Sequence, residues 1–217
     1  MIELVSRKSV FEQLPKIGNE IHLIQKLMYE DNFTDTGYLL TEKQLIELEL
    51  ESDYLEAKPI EDYDFELIRI KSKRYSKNGN IKYYKNVAIE LNDLLAETKT
   101  ENFYIITHIK QDFFYAMKTH YKKKRFRKAY SKLEEKLKIG SYNEAIKISN
   151  DELVDYLEII NKIDSFGGGV PEYILICDEN DTFCFYFHYS ERIAFWSFKE
   201  NKFLSNAFLN KYNFELV

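Results

Sequence analysis

The sequence has few of the residues that define specialised protein classes. Its 217 residues include only two cysteines, three prolines, seven glycines and one tryptophan. Two cysteines are too few for a disulfide framework, and the scarcity of glycine and proline excludes collagen-like and low-complexity chains. No apolar run approaches the roughly 18 residues that a membrane-spanning helix requires. We therefore expect a soluble globular protein that does not associate with membranes.

The sequence also lacks a recognisable secretory signal. Residues 1–8 contain no positively charged region followed by an apolar one. A cytoplasmic location is therefore expected, with Cys177 and Cys184 as buried, reduced thiols on neighbouring strands. The 25 lysines far exceed the six arginines, and Asn, Ile and Tyr are abundant. These residues have AT-rich codons, which favours a bacterial, phage or protist source.

Apolar and charged residues are plentiful, at 45% and 31% of the chain. This composition is sufficient to bury a core. Three β-rich runs separated by short polar turns predict a meander over 173–177, 182–188 and 193–198. Strand and helix patterns alternate without a βαβ period. The sequence therefore predicts the α+β class, with a mostly antiparallel sheet and a C-terminal three-stranded meander packed against several amphipathic helices. We expect a single domain over residues 1–217, with a weak subdivision near 98–102.

Hydrophobic spacing and capping signals predict the remaining elements. Capping boxes, whose paired side chains satisfy backbone donors at a helix start, are predicted at 9–12, 41–44 and 149–152. The Asn78-Gly79 turn signal predicts a hairpin across 64–86. Gly140 is predicted to end the longest helical pattern. The other predicted strands are 2–5 and 103–109, and the predicted helices are a segment from Leu14 onward, 45–54, 87–97, 111–138, 153–163 and 203–212.

Charge is strongly segregated along the chain, although its net value is only −5. Residues 42–66 carry a net charge of −8, and residues 118–138 carry +8. A concentration of one sign attracts an oppositely charged partner and raises its association rate. Two other interpretations stay open: each run is a solvated helix face, or the two runs pair with each other.

The acidic segment 42–66 is the basis of the first functional hypothesis, which is protein binding. It would cover a basic cleft in a partner, with contacts from Glu47, Glu51, Asp53 and Asp62. In general character the chain resembles the immunity proteins that neutralise bacterial toxins, which are small, acidic, aromatic-rich and α+β. This is an analogy of character and not of motif. It implies a non-catalytic intracellular binding protein whose partner is a toxin or another basic protein.

The basic segment 118–138 supports an alternative, a nucleic-acid-associated protein of a phage or defence system. Helical periodicity points four cations outward, namely Lys124, Arg125, Arg127 and Lys128. The interleaved aromatic residues fall on apolar stripes, which favours a core role over base stacking. The sequence pI of about 5.6 is also far from a basic footprint. We expect the outward cations to pair in part with residues 42–66, without measurable binding of duplex DNA near physiological salt.

A small hydrolase or nuclease with a site not visible in the sequence is the third hypothesis. Nucleotide-binding and Gly-x-Ser-x-Gly motifs are absent, and we predict no catalytic residue, no metal site and no cofactor. His188-Tyr189-Ser190 matches half of the motif of two-histidine phosphoesterases, and His108 is the only strand-borne candidate for the second histidine. Catalysis by such a pair needs one imidazole as base and the other as acid. We expect His188 to be a structural histidine on a strand.

Overall fold

An eight-stranded antiparallel sheet forms the centre of the described structure. The computed structural model describes residues 2–31, 53, 63–74, 81–114, 124–165, 174–188 and 191–217. The order across the sheet is β1-β4-β3-β5-β6-β7-β2-β8, and neighbouring strands are antiparallel throughout. The strands are β1 (Glu3–Val5), β2 (Glu66–Ser72), β3 (Asn102–Thr107), β4 (Ala145–Ser149), β5 (Ile174–Asp178), β6 (Phe183–His188), β7 (Arg192–Ser197) and β8 (Phe214–Leu216).

Six α-helices of the described residues pack on the two faces of this sheet. They are α1 (Arg7–Gln13), α2 (Pro15–Asp31), α3 (Ile81–Ala96), α4 (Lys124–Leu137), α5 (Asn150–Ser165) and α6 (Asn206–Lys211). A short 3-10 helix, Lys202–Leu204, precedes α6. The mixture of helices with an antiparallel sheet confirms the predicted α+β class.

Each face of the sheet carries its own hydrophobic core. On one face, called the α1/α2 face, Phe11, Leu14 and Ile17 of these helices pack over even-numbered strand residues such as Cys184 and Trp196. On the opposite face, α3 to α6 cover the odd-numbered residues of β3, β6 and β7 and the even-numbered residues of β4 and β5, and the buried set there includes Phe103, Ile105, Phe183, Phe185 and Phe195. Successive side chains of a strand point to opposite faces, so a strand covered on both sides is apolar almost throughout. This explains the nearly continuous apolar runs of β3, β5 and β6.

Two aspartates stabilise the β5–β6 turn, and one of them, Asp181, joins it to α2. The carboxylate of Asp178 accepts hydrogen bonds from the backbone N–H groups of Thr182 and Phe183 at 2.7 and 2.8 Å. Asp181 has a left-handed backbone with φ of 54° and accepts from the N–H groups of Lys16 and Ile17. Asp181 thus caps the first turn of α2 from another part of the chain. Burial raises the pKa of Asp181 to about 6, although the two backbone hydrogen bonds act to lower it.

The predicted meander is confirmed, because β5, β6 and β7 are consecutive neighbours in the sheet. The predicted strands at 2–5 and 103–109 correspond to β1 and β3. The helix expected from Leu14 onward is α2, which begins at Pro15 as proline permits in a first turn. The box at 149–152 is supported by the Ser149 hydroxyl, which donates to Glu152 at 3.2 Å at the start of α5. The predicted Thr41–Gln44 box, the 45–54 helix apart from residue 53, and the Asn78-Gly79 turn lie outside the described residues.

The predicted hairpin over 64–86 is wrong, because its second half is the start of a helix. Ile81–Ala96 is helical throughout, and Tyr83, Tyr84, Val87 and Leu91 are buried on one face of α3. The aromatic and β-branched residues at 81–84 have strand propensity, but spacing of three and four places them in line with the helix core. Tertiary packing here outweighs local propensity.

Other boundaries also differ from the expectations. Ser6, rather than Ser9, caps α1, since the Ser6 hydroxyl accepts from the N–H of Ser9 at 3.1 Å. The helix expected from residue 111 begins at Lys124 in the described chain, while Phe113 and Phe114 form a buried turn. The left-handed residue that follows it is Lys138, not Gly140. β4 and β8 were not predicted, because runs of five and three residues carry too little periodic signal.

The lone tryptophan gives a direct test of the meander. Trp196 of β7 is 6% exposed and packs edge-on against Tyr186 with ring centroids 6.1 Å apart. We expect a blue-shifted emission maximum in the native protein, which moves to longer wavelength when urea unfolds the chain. A native emission maximum equal to that of the unfolded protein would contradict the predicted burial.

Candidate functional site

Asp53, the one predicted partner-binding acid that the structure describes, lies in a buried ion pair. Its side chain is 7% exposed and that of Arg7 is 1% exposed. The Nε and Nη2 atoms of Arg7 donate to the two carboxylate oxygens of Asp53 at 2.8 and 2.6 Å. Asp53 is therefore enclosed and is not part of an exposed acidic surface. The other three acids of that prediction, Glu47, Glu51 and Asp62, lie outside the described residues.

Further hydrogen bonds tie this ion pair to the end of β3. The Nη1 atom of Arg7 donates to the carbonyl of Thr107 at 2.7 Å and to its hydroxyl oxygen at 3.1 Å. Gln25 of α2 donates to the Asp53 carboxylate and to the carbonyl of His108, both at 2.8 Å, and accepts from the Asp53 N–H at 3.0 Å. Buried charges persist only when they are paired and hydrogen-bonded. The group has the character of a structural clamp between α1, α2 and β3.

The cations predicted for nucleic-acid binding lie on α4. Lys124, Arg127 and Lys128 are exposed, and the Arg125 side chain is not among those described. None of the three exposed cations forms an ion pair with a residue that the structure describes, so the expected pairing with residues 42–66 stays a prediction. Tyr130 is fully buried, as its place on the apolar stripe indicates.

His188 and His108 lie at or just after the ends of separate strands, and both cysteines are buried. His188 ends β6 and His108 is a buried residue after β3, with β5 lying between these two strands. Cys177 and Cys184 face each other across β5 and β6 as buried free thiols, as expected. Burial, followed by the hydrogen bond with Cys177, raises the pKa of the Cys184 thiol and makes it a poor nucleophile. Within the described ranges, no three His, Cys, Asp or Glu side chains are placed to hold a metal ion.

The most strongly perturbed carboxylate is Asp164, near the end of α5. Burial raises the pKa of Asp164 to about 8. Its Oδ2 atom is buried and accepts no hydrogen bond within the described part of the chain. Perturbed acids often mark functional sites. The open groove on the neighbouring surface, about 340 Å³, is instead lined by residues of α4 and α5 that include the ion pair of Lys136 with Asp155.

A second feature is the outer edge of β2 over residues 65–68, which we call the β2 edge. β8 pairs with β2 only at Ile70, Lys71 and Ser72, and the N–H of Val217 donates to the carbonyl of Arg69 at 3.0 Å. Backbone groups of alternate residues point the same way in a strand. The N–H and C=O of Leu67 therefore point away from β7, as the Arg69 carbonyl does, and pair with no other described residue.

Exposed apolar side chains concentrate at this edge. Four of the seven large hydrophobic residues exposed in the described part of the chain lie around this edge: Phe65, Leu67 and Val217 on the α1/α2 face, and Leu216, opposite the buried Ile70, on the other face. Phe65 is 46% exposed even though its ring leans on Trp196 and Phe198, with centroids 6.4 and 6.0 Å away. Leu67 is 37% exposed. Apolar side chains beside open backbone groups are unusual on a monomer surface.

A row of charged residues crosses the same sheet face beside this edge. His188 of β6, Arg192 of β7, Lys71 of β2 and Glu215 of β8 are cross-strand neighbours, and we call them the cationic row. Lys71 pairs with Glu215 at 3.1 Å. Burial lowers the pKa of His188, and the charges of Arg192 and of the nearby Arg69 lower it further. Arg69 and Arg192 are exposed and form no ion pair with any described residue.

The sequence contained only part of the signal for this site. Arg69 and Lys71 alternate with Ile68 and Ile70, which indicates a strand with one polar face. Prediction of the cationic row also requires the register of β2 against β7, which the sequence does not reveal. The buried ion pair of Arg7 was not predicted, because a single arginine at a helix start has no distinctive sequence pattern.

Comparison with known proteins provides no information about the function of this chain. The chain shows no match to any protein-family model, to any curated protein or to any solved structure. Separately, none of the described helices combines the length and apolar character needed to cross a membrane.

Removal of the buried Asp53 carboxylate should strongly destabilise the fold. Asp53→Ala leaves the Arg7 guanidinium buried and unpaired, so we expect a loss of about 3–5 kcal/mol in the free energy of unfolding, measured in urea. Asp64→Ala, which removes an exposed acid, is the matched control and should cost less than about 0.5 kcal/mol. Equal, small losses in both variants would contradict the burial of the ion pair.

Asp164 should make stability depend on pH. An unfolded aspartate has a pKa near 3.9. Because the folded value is about 8, the native state holds a proton that the unfolded state releases, and stability falls as the pH rises from about 4 to 8. We therefore expect Asp164→Asn to raise the free energy of unfolding more at pH 9 than at pH 4. A gain independent of pH, or equal to that of Asp155→Asn on the same helix, would contradict this account.

Proposed function

We propose that this protein is a non-catalytic binding protein that holds a protein partner at the β2 edge. The observation that carries the proposal is the exposure of Phe65, Leu67 and Val217 on one face of the sheet, around a Leu67 backbone that pairs with no other described residue. Exposed apolar patches of this kind mark interaction sites in soluble proteins. An open strand edge also offers main-chain donors and acceptors to an incoming chain.

The recognition mode that fits this edge is strand addition. An extended segment of the partner would pair with β2 over residues 65–68 and lie in line with β8. Main-chain hydrogen bonds supply affinity in this mode, and alternate side chains supply specificity. The site needs no rearrangement of the described sheet, because β8 already leaves these residues uncovered.

The finer form of the proposal is an immunity-type protein that covers a basic cleft of a toxin with an acidic surface. It rests on partner contacts by Glu47, Glu51 and Asp62, and these contacts stay a prediction. Asp53 is buried and is therefore left out of this acidic surface. Reversal of these three acids to lysine should slow association with a basic partner, mainly at low salt. The β2 edge is formed by different residues, so the two versions are separable by mutation.

Nucleic-acid binding by α4 is the second candidate, favoured by one observation. Lys124, Arg127 and Lys128 are exposed and form no ion pair with the described residues. Salt-sensitive binding of duplex DNA, lost when these cations and Arg125 become glutamine, would support this candidate.

Peptide selection tests binding at the β2 edge. A display library of random 16-residue peptides is selected on the native protein, and the affinities of the selected peptides are measured by fluorescence polarisation. Leu67→Pro removes the outward N–H and one exposed apolar side chain, while the pairing of β2 with β7 is kept. We expect about tenfold weaker binding, since one hydrogen bond of about 1 kcal/mol is lost together with part of the apolar contact of Leu67.

Two further variants control for the loss of apolar surface and for folding. Leu67→Ser and Leu4→Ser make the same change at exposed leucines near opposite edges of the sheet. Only the first variant should bind the selected peptides more weakly. Urea unfolding of each variant verifies that the fold persists. Selected peptides that bind Leu67→Pro as tightly as the wild type would place their site elsewhere and contradict the proposal.

A further inference from the structure

We infer that the β2 edge selects an extended acidic segment, in which a carboxylate is followed two residues later by an apolar side chain. The inference rests on the proposed function and adds the chemistry of the partner. It depends on where an added strand would begin and on which side chains it would contact. It also depends on Arg69 and Arg192, the two cations of the α1/α2 face that have no carboxylate partner among the described residues.

The starting point of the added strand follows from β8. β8 is antiparallel to β2, with Leu216 opposite Ile70, and the hydrogen bond to Arg69 places Val217 opposite that residue. The first free position is therefore opposite Ile68. A strand that continues the line and direction of β8 places its next residues opposite Leu67, Glu66 and Phe65 in turn.

The side chains of β2 then determine the preferred residues of the partner. Leu67, Arg69 and Lys71 share the α1/α2 face with Phe65, because they alternate along the strand. The partner residue opposite Leu67 is diagonal to Arg69, a separation of about 7–8 Å that long side chains span. A glutamate or aspartate at this position reaches the guanidinium. The residue two positions later lies opposite Phe65, whose exposed ring favours an apolar contact.

The cations on this face outnumber the carboxylate side chains described there, which favours an anionic partner. Lys71 and Arg192 face each other in a narrow, non-hydrogen-bonded pair, an arrangement of like charges that destabilises a sheet. Along β2, β6, β7 and β8, the described carboxylate side chain on this face is that of Glu215, and it already pairs with Lys71. The nearby Glu191 acts on Tyr83 of α3, on the opposite side of the sheet. Arg69 and Arg192 therefore supply positive potential that a partner carboxylate would relieve.

A peptide fits this site better than single-stranded nucleic acid. Binding of single strands needs several exposed aromatic faces on which successive bases stack. Tyr186 and Trp196 of this face are each only 6% exposed, which leaves the exposed ring of Phe65 and the half-buried ring of Tyr63 just before β2. The outward N–H and C=O of Leu67, which pair with no other described residue, are complementary to a peptide backbone.

A pair of labelled decapeptides tests the inference. Both consist of β-branched residues around a Glu-x-Leu core, and the second replaces glutamate with lysine. We expect the wild-type protein to bind the acidic peptide at least tenfold more tightly by fluorescence polarisation. Arg69→Gln should weaken binding of the acidic peptide about fivefold, because one charge pair contributes about 1 kcal/mol to the binding free energy. Lys124→Gln removes the same charge from α4 and should leave the affinity unchanged.

The outcomes separate this inference from the proposed function. Equal binding of both peptides, weakened about tenfold by Leu67→Pro, overturns the acidic preference and keeps the edge as a binding site. Failure of both peptides, together with failure of the display selection, overturns both proposals. Binding of an oligothymidylate that Arg69→Gln abolishes and Leu67→Pro preserves overturns the peptide in favour of nucleic acid. An acidic preference that Arg69→Gln removes and Lys124→Gln leaves intact supports the inference.

Discussion

The register of β2 against β7 decides which side chains this part of the sheet buries and which it exposes. Leu67 lies opposite Trp196 and Arg69 lies opposite Ala194, while Ile70 is buried on the other face. A shift of one residue would turn the isoleucines to the surface and the cations into the core. The cost of burying unpaired cations holds the register in place. The same constraint leaves Leu67 with its backbone directed outward, and so creates the β2 edge.

Charged residues serve two different purposes in this fold. Arg7 and Asp53 are enclosed, share two hydrogen bonds and link two helices to the end of β3. Arg69 and Arg192 lie on an open sheet face and have no carboxylate partner among the described residues. A buried pair is costly to break and contributes mainly to a defined structure. Exposed cations contribute little to stability and remain available to a partner.

The sequence predicted those elements whose patterns are long and repetitive. The meander follows from three apolar runs and two polar turns, and α2 and α5 follow from helical spacing. The start of α3 failed because Tyr83 and Tyr84 have strand propensity, and only packing against the rest of the core decides between helix and strand. β4 and β8 are too short to show a period.

The candidate site was harder to predict than the fold. The cationic row joins residues 71, 188, 192 and 215, which lie far apart in the chain and meet only through strand order. Runs of charge are visible in a sequence, whereas a charge cluster formed by register is not. Asp53 shows the converse problem: it belongs to an acidic run, yet its place beside Arg7 makes it a core residue.

Amide hydrogen exchange, followed by NMR, tests most directly whether the β2 edge is open and takes an added strand. In the free protein the Leu67 amide should exchange rapidly, while those of Ile68 and Ile70, which point toward β7, should be protected. The acidic decapeptide should slow exchange at Leu67 and leave Ile70 unchanged. A Leu67 amide that is already protected in the free protein, or one that bound peptide does not slow, would contradict strand addition at this edge.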